Sequence, residues 1–145
     1  MSAAEAMQTI EGDRFAALTN LASNLKTFLR IAAAQPEVET LARAVANDPA
    51  VVSQVSQRAL GLLAMPADGN HEHEGDAALA TYLWLLSNHP QAFAEVAERI
   101  VRAQGHFFWA RKVAHRAPTA HGIANGDGTE AKGQTRRETV EDSRG

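Results

Sequence analysis

The residue types best suited to chemistry crowd together at positions 71–76, where the chain places His71, Glu72, His73, Glu74 and Asp76. Imidazole nitrogens and carboxylate oxygens together can hold zinc or another divalent ion, and a water bound to that ion becomes a nucleophile for hydrolysis near neutral pH. Two histidines separated by one residue do not form the HExxH pattern of a metal-binding helix, so only the fold can decide whether their rings converge. If the helix that starts at Asp76 is followed by an antiparallel one, the end of the second helix returns close to Asp76 and carries His106 toward the loop. The metal set is then His71, His73, Asp76 and His106. His89 sits at the other end of the helix, about 18 Å away at 1.5 Å per residue. The competing reading is a solvated polar loop in which Asp76 caps one helix and His106 opens another.

The elements that must position these groups are all helical. From Asp13 to Ala34, Phe15, Leu18, Ala22, Leu25, Leu29 and Ala32 recur every three or four residues, with Leu21, Phe28 and Ile31 widening the stripe. Pro36 opens a second helix ending near Asn47. Asp48 before Pro49 reads as an N-cap followed by a first-turn proline, and Val52, Val55, Ala59, Leu62 and Leu63 carry a third helix to about Ala64. The fourth, from Asp76 to Ser87, is apolar almost all round and must be central. The fifth starts at Pro90 and turns Phe93, Val96, Ala97, Ile100 and Val101 inward, with Glu95–Arg99 and Glu98–Arg102 pairing outside and Gly105 closing it. A short sixth helix, HFFWARKVAHR, ends near Arg116 with its cations toward its C-terminus. The domain therefore spans 13–116, residues 1–12 read as a flexible N-terminus, and 117–145, which hold five of the ten glycines, read as a disordered tail.

Composition narrows the function. With 145 residues, 45% of them hydrophobic, the chain can build one core. A net charge of −3 offers no broad basic surface for nucleic acid or anionic membrane. There is no cysteine, so disulfides, thiolate metal sites and a cysteine nucleophile are excluded. The first residues have neither the basic nor the apolar region of a secretory signal, and no apolar run approaches the ~20 residues of a membrane span. These features lead us to expect a cytoplasmic protein. No glycine-rich phosphate loop or nucleophile elbow occurs, so the chain does not read as an enzyme.

An internal echo links two stretches. NDPAVVSQVSQRAL from Asn47 lies over NHPQAFAEVAERIV from Asn88, pairing Asn47 with Asn88, Pro49 with Pro90, Val55 with Val96 and Arg58 with Arg99 at an offset of 41 residues. Thr40 aligns with Thr81 in the helices before them. Over about 36–104 the chain resembles HEAT or armadillo paired-helix repeats. That resemblance implies two stacked helical hairpins capped by the first and sixth helices; a compact helical bundle is the alternative.

The sixth helix supplies the second functional candidate. Phe107, Phe108 and Trp109 precede Arg111, Lys112, His115 and Arg116, and successive residues stand about 100° apart, so the three rings cannot all enter one core. Phe108 is the ring expected outside, with Trp109, Arg111, Lys112 and His115 completing a partner-binding set; the competing reading has Phe107, Trp109, Ala110 and Val113 close the end of the core while the cations face water. Arg136, Arg137 and Thr139 in the tail also resemble a basophilic kinase site. The sequence thus reads as an all-α domain of five to six helices that binds another protein as an adaptor, regulator or neutralising partner of the antitoxin or immunity type. The metal-dependent function is the alternative. It makes one direct prediction: elemental analysis of purified protein finds a stoichiometric divalent ion that replacing His73 and Asp76 by alanine abolishes, and metal-free protein whose melting does not respond to added zinc would remove it.

Overall fold

The computed structural model describes residues 1–64, 75–104 and 107–116, and Met1–His115 form one compact unit. Among the described residues there are eight α-helices, one 3-10 helix and no strand. The all-α reading holds, with more and shorter elements than the hydrophobic periodicity suggests.

The first difference lies at the start of the chain. Residues Ala3–Ile10, expected to be flexible, form α1. The Ser2 hydroxyl accepts from the Glu5 N–H at 3.1 Å and the Glu5 carboxylate accepts from the Ser2 N–H at 2.8 Å, a reciprocal cap that satisfies two otherwise unpaired donors. Ala6, Met7 and Ile10 are buried, and α1 packs on the helix Pro36–Asn47.

The long helix expected over 13–34 is broken into three pieces. α2, Asp13–Ala16, runs into a 3-10 helix, Ala17–Leu21; Ala22 is extended, and α3, Leu25–Ala33, starts afresh at Asn24. The Asn24 side-chain oxygen accepts from the Thr27 N–H at 2.9 Å and from the Thr27 hydroxyl at 3.0 Å, so asparagine caps a new helix here instead of continuing the old one. The break turns Leu21 out to 68% exposure, although the stripe had assigned it to the core.

The next helices follow the sequence reading closely. α4 is Pro36–Asn47 and α5 is Pro49–Ala64, with the Ala50 N–H donating to Asp48 Oδ1 at 2.9 Å as an N-cap requires. α6, Asp76–Leu85, is buried along its whole length except at half-buried Trp84. α7, Pro90–Arg102, buries Phe93, Val96, Ala97 and Ile100 but leaves Val101 exposed. On its outer face Glu98 and Arg102 pair at 2.6 Å; Glu95 and Arg99 do not pair among the described residues. α8 is Phe108–Arg116. The proposed repeat would stack α4 on α6 as α5 stacks on α7. Both pairs touch, although α4 lies mainly against α1 and α5 also touches α6.

The buried helix carries a hydroxyl that must find a partner, because a buried unpaired polar group is costly. Fully buried Tyr82 donates to Glu11 Oε2 at 2.5 Å and approaches the Met7 carbonyl at 3.2 Å. Arg58 of α5 closes the network: Nε and Nη2 each donate to the Glu11 carboxylate at 2.8 Å. The neighbouring carboxylate raises the Arg58 pKa further. A second such pair joins exposed Arg14 of α2 to Glu37 of α4, whose carboxylate is almost wholly buried. No described helix is long and apolar enough to cross a membrane. The expectations for the loop over 65–74, for Gly105 and for 117–145 fall outside the described residues.

Burial, followed by the hydrogen bond to Glu11, pushes the Tyr82 hydroxyl above the ordinary tyrosine range. The unfolded chain loses this proton as the pH rises past about 10 while the folded chain keeps it, so the stabilisation is whole below that pH and declines above it. Tyr82→Phe keeps the ring and should cost about 1–2 kcal/mol near neutral pH in a denaturant titration. The difference from the parent should shrink between about pH 9 and pH 11. A difference that stays constant over that range would show that the hydroxyl is not held as described.

Candidate functional site

The short helix α8 cannot start itself. The Phe107 carbonyl accepts its first helical bond, from the Arg111 N–H at 2.9 Å, so Phe107 occupies the cap position with a side chain that accepts nothing. The missing acceptor comes from Asp76 at the start of α6. Its Oδ2 accepts from the Trp109 N–H and its Oδ1 from the Ala110 N–H, both at 2.9 Å, although the residues are 33 and 34 positions apart. The carboxylate is 2% exposed and also faces the partial positive charge of the α8 N-terminus. Asp76 was expected to cap its own helix. That position is held by Gly75, whose φ of 87° is one that glycine adopts without strain, and the Asp76 side chain is released to cap α8.

Aromatic packing completes the attachment. Phe107 and Trp109 are each 7% exposed, and Trp109 stacks on fully buried Phe28 of α3 with centroids 5.2 Å apart and planes 17° apart. One step of about 100° separates Phe108 from both neighbours, and it is 54% exposed. Its ring meets the edge of Trp109 at 5.0 Å and 83°, and Lys112 Nζ lies 4.8 Å from its centre, so the exposed ring is held on two sides. Half-buried Arg111 donates through Nη2 to the carbonyl of Ala103, the residue that ends α7, tying the two helices together.

The partner-binding set expected from the sequence therefore divides. Phe108, Lys112 and His115 are exposed at helical spacings of four and three residues and share one face. Trp109 leaves that set: it lies in the core, as the competing reading has it, with its ring stacked on Phe28. Arg111 faces the α7 terminus. Of the metal set, His71, His73 and His106 lie outside the described residues, and both oxygens of Asp76 are engaged by α8. Among the described residues no group of three or more histidine and carboxylate side chains could hold a metal ion. The tail residues Arg136, Arg137 and Thr139 also lie outside them.

Beside Phe108 lies an open cleft of about 430 Å³ between α8 and the 3-10 helix, lined by Ala16, Thr19, Asn20, Asp76, Ala77, Phe108 and Trp109. The sequence reading missed this cleft because a continuous helix over 13–34 leaves no room for it. Ser23-Asn24 before an apolar run was the available signal. A second cleft of about 510 Å³, where the end of α4 meets the α6–α7 corner, is lined by Trp84, Asn88 and His89 among others. His89 is the one titratable residue in its lining, so that lining holds no acid–base pair.

Comparison with models of protein families, with characterised proteins and with solved structures finds no match to this chain. The functional reading therefore stands on the chain's own residues.

The long-range cap has a measurable consequence. Asp76→Ala leaves two N–H groups of α8 unpaired and should cost about 2 kcal/mol or more. The loss should be the same with and without a chelator. Asp76→Asn, which keeps one acceptor, should cost less. An Asp76→Ala protein as stable as the parent would show that α8 does not depend on this carboxylate, and a loss seen only without chelator would assign the residue to a metal.

Proposed function

We propose that this chain is a protein-binding module, acting as an adaptor, regulator or neutralising partner of the antitoxin or immunity type, and that its partner docks on the exposed face of α8. One observation carries this reading: Phe108 is 54% exposed yet its ring is held by Trp109 and Lys112 beside an open cleft. Scattered surface hydrophobics are ordinary and imply nothing by themselves. An aromatic ring fixed in place before binding differs from those, since little side-chain freedom is left to lose when a partner covers it. Large rings at the centre of a contact, bordered by polar and charged groups, are also where interface energy concentrates. Lys112 and His115 supply such a border on one side and Thr19 and Asn20 on the other.

The experiment separates docking from folding. Phe108→Ala should cost less than about 1 kcal/mol of stability in a thermal or denaturant melt, because half the ring is already in water. It should weaken binding to partners recovered with the parent protein at least tenfold. Leu83→Ala or Ile100→Ala, which empty fully buried positions, should instead cost about 2–5 kcal/mol. A Phe108→Ala protein that melts normally and keeps its full affinity for every partner would remove this face as the docking surface.

A further inference from the structure

We propose, resting on that docking reading, that the partner presents an acidic segment with one apolar anchor, the anchor entering the cleft beside Phe108 and its carboxylates lying along α8. Charge is the first reason. The protein carries 14 lysines and arginines against 17 acidic residues, a net −3, yet the α8 sequence FWARKVAHR contains no carboxylate. Its exposed Lys112 and His115 follow Phe108 by four and seven residues on one face. A face that offers a lysine ammonium and an imidazole donor and carries no carboxylate, on a net-negative protein, favours acidic segments at this place.

The cleft supplies the second reason. Its floor is apolar where Ala16, Ala77 and Trp109 line it, and Thr19 and Asn20 stand at its edge. Among the described residues the Asn20 side-chain amide has no hydrogen-bond partner, so its donor and acceptor are both open to a peptide backbone. The one carboxylate in the lining, Asp76, turns both oxygens to the Trp109 and Ala110 amides and opposes an incoming acid only weakly. One residue past Asn20, Leu21 is 68% exposed and extends the apolar surface.

The spacing sets the pattern. Lys112 and His115 lie about 6 Å and 10 Å along the helix from Phe108 at 1.5 Å per residue. An extended peptide advances about 3.3 Å per residue, so its acidic residues should fall two to three positions from the anchor. Nucleic acid and anionic membrane also favour cations, but a chain of net negative charge suits neither, and the amide-edged cleft fits a peptide.

Selection of a randomised twelve-residue peptide display library on the full-length protein, run in parallel on Phe108→Ala and on a Lys112→Glu, His115→Glu double variant, tests this. The pool enriched on the parent should carry an aromatic or aliphatic residue with aspartate or glutamate two to three positions away. Its affinity should fall at least tenfold on either variant and on raising salt from about 0.05 to 0.5 M. Neutral or basic peptides that need Phe108 would overturn the acidic partner and leave the docking face standing. Peptides bound equally well by Phe108→Ala, or no enrichment over that variant, would overturn both. The proposal also fails if phosphatidylglycerol vesicles or a single-stranded oligonucleotide bind the parent, with the same dependence on Phe108, more tightly than the best peptide.

Discussion

Helix α6 has to be covered on every side, and the rest of the domain is arranged to do so. Ala77 to Leu83 are all almost wholly removed from water. A single neighbour would not suffice for a helix of this composition, since any face left open would expose a continuous apolar surface. α5, α7, α4 and α2 all contact it. The polar side chains it does carry then decide which neighbour goes where. Thr81 turns back to the Ala77 carbonyl at 2.8 Å and asks nothing of the surroundings. Tyr82 reaches the end of α1, and Asp76 reaches the start of α8. Two of the shorter helices, neither stable alone at this length, are thus recruited by the polar needs of the most buried one.

That arrangement explains how an exposed aromatic ring comes to be well fixed. Among the described residues α8 has no polar side chain of its own at the cap position, and it is only nine residues long. With Asp76 holding its first turn, Trp109 stacked on Phe28, and Arg111 reaching the end of α7, its orientation is set by three separate contacts on its inner side. The geometry of the helix then obliges Phe108 to point away from the contacts that bury Phe107 and Trp109. The exposure of Phe108 is a consequence of how α8 is anchored, and the charges that follow it inherit the same outward direction.

The ionic contacts in this domain are placed where helices converge. Glu11 receives Tyr82 and Arg58 together, joining α1, α5 and α6 at one carboxylate. Glu37, nearly buried, is met by Arg14 across from α2. Each pair keeps its arginine partly in water and its carboxylate largely enclosed. The guanidinium therefore stays hydrated while it satisfies the acid, which avoids most of the cost of burying a full ion pair.

Much of the helix content was legible in the sequence because the signals were local. The prolines at 36, 49 and 90 start helices where the missing N–H costs nothing, and the all-apolar run from Ala77 reads as central whatever surrounds it. The Ser2–Glu5 cap and Asn24 were equally local and were passed over in favour of hydrophobic spacing, which continues smoothly across the break at Ala22. Phe108 could be assigned to the outside from helical geometry alone. That Trp109 lies inside was also open to helical geometry, but its partner Phe28, eighty-one positions earlier, was not. Nor was the role of Asp76: an aspartate before an apolar run looks like the cap of the helix it begins, and only the fold brings the uncapped start of α8 within 2.9 Å of it. Local order follows from spacing and caps written along the chain. The cleft, the shared carboxylate and the direction of α8 arise from residues far apart in sequence, whose meeting is decided by the need to enclose one helix completely.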